Sequence, residues 1–315
     1  MRHLKRFTPI FAILLAIAVQ FLLADSSEHP EAKHAYYSLF LFVVLAIFVL
    51  LAALSFFVKK INSYLEVNGT FWTGAVIFLA VLDILTAKTA LLPIMFFPTY
   101  DNILAIFAEK GLLLLKCAGH SFRLLGVGVI FGILFGISMG ILMGFNKTAS
   151  YWLNPLTKVI GPIPATAWIP LVLTFFPSTF QASAFIVGLS VWFPVVVMTG
   201  TGIKNIPNVY FEVGRTLGAG RFFQIFKIGI PSALPSIFQG IFYGVCSSFI
   251  ALMTAEMFGA KYGLGWFVNW QKSMMAFNGV YAGLITIAIF CSAILAILSK
   301  VQGNLLRWQK GILKV

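Results

Sequence analysis

The chain has 315 residues, of which 60% are hydrophobic and only 10% are charged. A soluble globular domain carries about 25% charged residues, so this composition excludes one and points to a chain that crosses a lipid bilayer repeatedly. The net charge of +13 does not indicate nucleic acid, because the basic residues sit in short loops between apolar runs, as the positive-inside rule predicts.

The chemistry-bearing residues are sparse. Cys117, Cys246 and Cys291 are isolated, and His3, His29, His34 and His120 are scattered. With no CxxC pair and no Cys/His cluster, neither a disulfide framework nor a metal site is expected. The phosphate-cradling pattern GxxxxGK[ST] is absent, so the chain is not expected to hydrolyse ATP by that route. A paired-carboxylate site, a His/Glu metal motif and a GxSxG elbow are missing too, which speaks against a membrane-embedded enzyme.

In chain order, Arg2, Lys5 and Arg6 precede an apolar run over about 7–24. It reads as an uncleaved span rather than a signal peptide, being long for a signal core and lacking a small-x-small ending. A polar, mostly acidic segment follows to His34. The second span covers about 37–58 and stops at Lys59-Lys60. The third, about 71–97, contains Asp83 and Lys88, whose five-residue spacing does not favour a direct pair. Residues 98–120 alternate apolar and charged positions and predict an interfacial helix. The fourth span, about 122–144, carries Gly128, Gly132, Gly136, Gly140 and Gly144 at four-residue spacing. That spacing makes a bare stripe for helix packing, either within one subunit or at a moving or subunit interface.

Residues 146–158 return to the side of Lys59. The next apolar stretch, 159–176, is broken by Pro162, Pro164 and Pro170, with Trp168 among them, and broken helices often line substrate paths. The sixth span, about 181–200, centres on Trp192, Phe193 and Pro194. The seventh runs from Pro231 to about Phe258 and carries Ser247, Ser248, Thr254 and Glu256. Residues 260–278 lie outside, and the eighth span, 281–298, ends at Lys300 with Arg307, Lys310 and Lys314 beyond. The predicted fold is all-α, a polytopic membrane protein of about eight transmembrane helices. Alternating the sides places both termini and most of the 22 Lys and Arg in the cytoplasm.

Between the sixth and seventh spans lies the longest polar interruption of the second half, residues 203–230. Val209, Val213 and Leu217 recur at i, i+4 and i+8, while Glu212, Arg215 and Thr216 fall largely on another face. Gly218 supplies a break, and a second helical run, 221–228, is expected to stop before Pro231. The loop reads as a compact helix-turn-helix on the membrane surface, suited to docking another protein.

This loop resembles the cytoplasmic signature of bacterial ABC importer permeases. The residues that carry the resemblance are Glu212, Val213-Gly214, Gly218, Ile228, Ile230 and Pro231; Val213 and Gly214 stand where the family usually has alanines, and Ile230 replaces a leucine. The Gly-rich span ending GILMG, the run NPLTKVIGPIPATAWIPL and the run AEMFGAKYGLGWFV (Ala255 to Val268) resemble the nitrate, sulfonate and taurine branch of that family. The likeness covers roughly Leu91 to Gly311. It departs at 173–177, where Leu-Thr-Phe-Phe-Pro replaces a segment that commonly contains Trp-Phe-Gly.

The resemblance implies a six-helix permease core over 71–315, containing the coupling loop, and an N-terminal extension over 1–70 with two further spans. It implies a non-enzymatic transport subunit of the bacterial inner membrane, without a cofactor. This subunit would import a small anionic solute delivered by an external binding protein. Expected partners are a separate ATPase, that binding protein, a second permease copy and membrane lipid. Glu212, Arg215, Gly218, Ala219 and Pro231 would serve ATPase coupling; Trp168, Trp192, Ser247, Ser248 and Glu256 are candidates for the translocation path. The rival reading is an ion-coupled secondary transporter, for which Asp83 and Glu256 would be the coupling carboxylates.

Overall fold

The computed structural model describes residues 6–26, 36–93 and 95–307. The extreme basic start, most of the acidic segment before His34, and Lys310 and Lys314 lie outside these residues. Among the described residues every regular element is a helix. Six helices are long and apolar enough to cross a membrane. They are α2 (Tyr36–Leu54), α3 (Lys59–Asp83), α4 (Tyr100–Phe145), α7 (Thr179–Lys204), α10 (Ile230–Gly259) and, after the short α11 (Leu264–Ser273), α12 (Phe277–Leu305). The first predicted span is α1 (Thr8–Leu22), an apolar helix of 15 residues. The predicted fifth is a bent pair, so the count reaches seven if that pair is one span.

Two expectations about local structure change, and one segment gains a helix. The interfacial helix over 98–120 and the fourth span are one helix, α4, of 46 residues. At 1.5 Å per residue it extends about 69 Å, roughly twice the hydrocarbon thickness. No proline interrupts it, and the polar positions at Glu109, Lys110 and Lys116 do not break a helix. Residues 146–158, for which the sequence predicts only a return to the side of Lys59, form the amphipathic helix α5 (Lys147–Ile160), started by Asn146, whose side chain accepts from the backbone N–H of Thr148 at 2.9 Å and Ala149 at 3.3 Å. Finally, the helical run after Gly218 does not stop before Pro231. Helix α9 (Arg221–Phe223) passes through a wide π-turn at Gln224–Gly229 directly into α10. A proline inside a helix lacks a donor and crowds the carbonyl four residues back. The wide turn immediately before Pro231 relieves both.

The chain forms two compact units. The first comprises residues up to Gly111 together with Gln271–Ala282. Its core joins Ile13 of α1, Phe48 of α2 and Leu65 of α3, with Trp72 edge-on to Phe48. At one end of α3 a π-turn, Ile84–Lys88, reels Lys88 inward. Its ammonium donates to the Gln20 carbonyl at 3.2 Å and pairs with Asp25 at 2.7 Å, while the backbone N–H of Ser26 donates to the Ala87 carbonyl. Lys88 is therefore tied to α1 and the residues after it.

The second unit spans Leu112–Trp270 and Gly283 onward and is built around α7, the most enclosed of the candidate spans. One face of α7 packs on α4. Val187, Val191, Val195, Thr199 and Ile203 recur every four residues and fill the glycine stripe of α4 in register. A Cβ on Gly132, Gly136 or Gly140 would lie 2.6, 2.7 and 2.5 Å from the Cβ atoms of Val191, Val195 and Thr199. Val187 sits equally close over Gly128. The stripe is thus occupied by the chain's own α7, and the two helices run parallel. An adjoining face of α7 packs on α10, where Gly240 and Gly244 let the helices approach. Helix α6 (Ile169–Phe175), preceded by a tight turn at Ala165–Trp168, lies at 86° to α5. The bend fits because Gly161 has no side chain where the Phe193 ring lies.

Candidate functional site

The polar interruption at 203–230 folds as the sequence suggests up to its end. Helix α8 (Asn208–Thr216) closes at Leu217, and Gly218 adopts φ +79, a left-handed conformation that favours glycine. The N–H of Ala219 then donates to the Gly214 carbonyl at 2.8 Å, and the Gln224 amide donates to the Ala219 carbonyl at 2.9 Å. Gly214 is buried beneath Ile228, whose Cδ1 would lie 2.8 Å from a Cβ there. These contacts fold the two arms of the loop against each other. The departure from alanine at Gly214 makes room for Ile228.

The apolar stripe of α8 faces outward. Val209, Val213 and Leu217 are 63%, 52% and 82% exposed. Phe222, Phe223 and Phe226 are exposed beside them. Tyr210, Val213, Leu217, Ala219 and Phe223 line a shallow hollow of about 450 Å³. Glu212 and Arg215 are exposed, and Arg215 Nε donates to the Phe211 carbonyl at 3.4 Å. Glu212, Arg215, Gly218 and Ala219 are thus together on one small surface, with Pro231 at the first turn of α10. Phe145, the last residue of α4, connects this surface to the interior. Its ring lies over Gly229 and stands edge-on to Phe211 of α8 at 5.9 Å. The sequence carried no periodic signal for this wedge.

The candidate path residues separate. Ser247 lines a cavity of about 240 Å³ with Gly161, Thr166, Ser190, Phe193 and Pro194, where the bent pair meets α7 and α10. Trp192 borders a larger apolar hollow of about 900 Å³ with Phe131, Phe135 and Phe185. Its Nε1 lies 3.1 Å from Met139 Sδ. The other three are engaged in packing. Ser248 is fully buried and donates to the Val245 carbonyl at 2.7 Å. Trp168 packs with Ile169 and Val172, its buried Nε1 without a partner.

Glu256 is fully buried and acts as a clamp. Ser121 donates to its Oε1 at 2.6 Å, and the Gly265 N–H donates to Oε2 at 2.9 Å. Ser121 accepts in turn from the Leu264 N–H at 2.9 Å. Gly263, at φ +147, passes so close that a Cβ would lie 2.6 Å from both carboxylate oxygens. The run Ala255 to Val268 therefore encodes a folded loop around one carboxylate, in which only glycine fits at 263. Among the described residues no group of His, Cys, Asp and Glu is arranged to hold a metal.

The family model for the binding-protein-dependent transport system inner membrane component matches residues 132–309. SsuC of Bacillus subtilis (strain 168), named as an aliphatic sulfonates transport permease protein, is 29% identical over 68% of this chain and 78% of its own length. NrtB of Leptolyngbya laminosa, a nitrate import permease protein, is 29% identical over 42% of this chain and 50% of its own length. The chain thus spans only about half of that second relative. The MetNI methionine ABC transporter, solved in inward facing conformations, shares the fold: TM-score 0.54 at 17% identity, covering 62% of this chain and 98% of the other. With the matched model taking in α7, the loop at 203–230 and Glu256, the chain belongs to the family of inner membrane components of binding-protein-dependent transport systems.

Proposed function

We propose that this chain is the permease subunit of an ATP-driven importer and that the surface of α8 and α9 docks a separate ATPase. The carrying observation is the outward-facing apolar stripe Val209, Val213, Leu217, framed by Glu212 and Arg215 and held rigid from behind by Gly214, Ile228 and Phe145. A short surface helix that exposes its apolar face on an ordered turn is suited to insertion into a groove of a partner. In this reading the chain crosses the bilayer eight times, α1 and the bent α5–α6 pair included, with residues 1–70 an extension to a core over 71–315 and both termini in the cytoplasm. Two copies would form the midline path. Closure of the ATPases would bring the two loops together and turn the path outward. The switch goes only as far as the partners bind the two states differently.

The solute is small and anionic, by analogy with the sulfonate and nitrate proteins, and is delivered by an external binding protein. Ser247 and Trp192 are the path residues that open onto cavities, and the cavity at Ser247 offers hydroxyls rather than charge. Weak binding there suits release. The ion-coupled alternative would require Glu256 to be free to bind and lose a cation, whereas both its oxygens are bonded within the clamp.

The test is co-purification from gently solubilised membranes, with tagged parent beside a Glu212→Ala/Gly218→Leu double variant. An ATPase subunit is expected with the parent and at least tenfold less with a variant that inserts normally. Absence of any ATPase from the parent, together with uptake that follows the proton gradient, would overturn the reading.

A further inference from the structure

A second polar surface lies on the same end of α7 as the docking loop and serves no purpose in the coupling scheme. Lys147 and Lys158 of α5 and Lys204 at the end of α7 line one open cleft of about 780 Å³ with Tyr151 and Asn154, over an apolar floor that includes Phe145. Lys204 donates to Ser150 at 3.0 Å. None of the residues lining the cleft is acidic. Nor does the sequence hold any Asp or Glu between Glu109 and Glu212, so no neighbour along the chain can neutralise these lysines. Lys147 also stands in the first turn of α5, the end of a helix where a cation is disfavoured unless an anion is near.

The other side of α5 fixes where this charge sits. Trp152 is 70% exposed, Tyr151 packs edge-on to it, and Leu156 and Val159 are exposed on the same apolar face. The aromatic and aliphatic face of α5 is suited to the acyl boundary, and the lysines opposite it to headgroup depth.

We propose that the cleft beneath α5 holds the headgroup of an anionic phospholipid, with Lys147, Lys158 and Lys204 as its charge partners. Charge complementarity selects the ligand: basic pockets beside transmembrane helices recognise anionic headgroups, at about a fivefold gain in affinity per lysine. The lipid would brace α5, and through it the bend to α6. The proposal requires α7 to cross a bilayer but does not depend on an ATPase docking at α8, so either can fail alone.

The experiment titrates purified full-length chain in neutral detergent with fluorescent short-chain phosphatidylglycerol or phosphatidylcholine. The parent is expected to prefer phosphatidylglycerol, and Lys147→Ala/Lys158→Ala to weaken it about thirtyfold without changing phosphatidylcholine. Lys147→Arg/Lys158→Arg should retain the preference. A parent that binds both lipids equally, or a double alanine variant that binds phosphatidylglycerol as the parent does, overturns the proposal. So does complete displacement by equimolar inorganic phosphate, which would make this a free-anion site. A second readout needs no lysine variant: phosphatidylglycerol with brominated acyl chains should quench Trp152, read as the difference from Trp152→Phe, more than the brominated phosphatidylcholine does. Equal quenching by the two lipids counts against the cleft.

Discussion

Glu256 sets the terms at the residue scale. A buried carboxylate is tolerable only when its acceptor sites are filled, and here a serine hydroxyl and a backbone N–H fill them. Glu256→Ala would strand the Gly265 N–H and remove the bond from Ser121, at a cost of about 3 kcal/mol. Glu256→Gln keeps an acceptor for one of the two and should cost less. Thermal unfolding in one detergent checks the order alanine, glutamine, parent. If glutamine abolished transport while leaving the melting temperature unchanged, the carboxylate would have a role in the path rather than in the clamp. Gly218 is limited by backbone conformation alone, since a side chain there would meet open space. Asparagine should therefore be milder than a β-branched residue at that position.

Helix pairs carry the next scale. The α4–α7 contact has glycine on one side and a β-branched residue on the other at each of five turns. Gly132→Leu forces a side chain against Val191 and the Gly188 carbonyl and should destabilise by about 1–3 kcal/mol. Gly119→Ala, on the same helix but with no neighbour near a new Cβ, should be neutral within about 0.5 kcal/mol. Equal effects in a melting assay would show that the stripe is not a contact. The glycine half of this interface was readable as a four-residue repeat. Its partner repeat in α7 was equally periodic but hidden, because valines inside an apolar span look like any lipid-facing residues. The bend between α5 and α6 was legible only as a run of prolines. Its angle depends on Phe193 lying over Gly161, a contact between residues far apart in the chain, which periodicity cannot register. The length of α4 is hidden for the opposite reason: its charged residues mark a change of polarity, yet nothing in them stops a helix.

For the whole molecule the question is how a surface loop reaches the interior. Phe145 touches Gly229 and Phe211 at once, so the end of α4, the start of α10 and α8 meet at one ring. Phe145→Ala should leave ATPase docking within about threefold of the parent, because the docking face is untouched. Transport per ATP hydrolysed should fall at least fivefold in reconstituted vesicles. Parallel loss of both would make Phe145 a folding residue only. Six of the spans and the helix-turn-helix at 203–230 were legible because apolar length and turn chemistry are local properties. The clamp at Glu256 and the wedge at Phe145 were not, because each joins three separated segments.

The matched repeats of α4 and α7 limit how the protein can move. Two surfaces toothed at the same interval interlock at one offset and next at a full helical turn, about 5.4–6 Å further along. Every smaller slip drives a methyl group against a backbone. The pair therefore behaves as a single strut with no play along its length, and an opening and closing transporter must take up its strain elsewhere. The 86° elbow of α5 and α6, seated on α7 through an aromatic ring rather than through teeth, carries no such fixed interval.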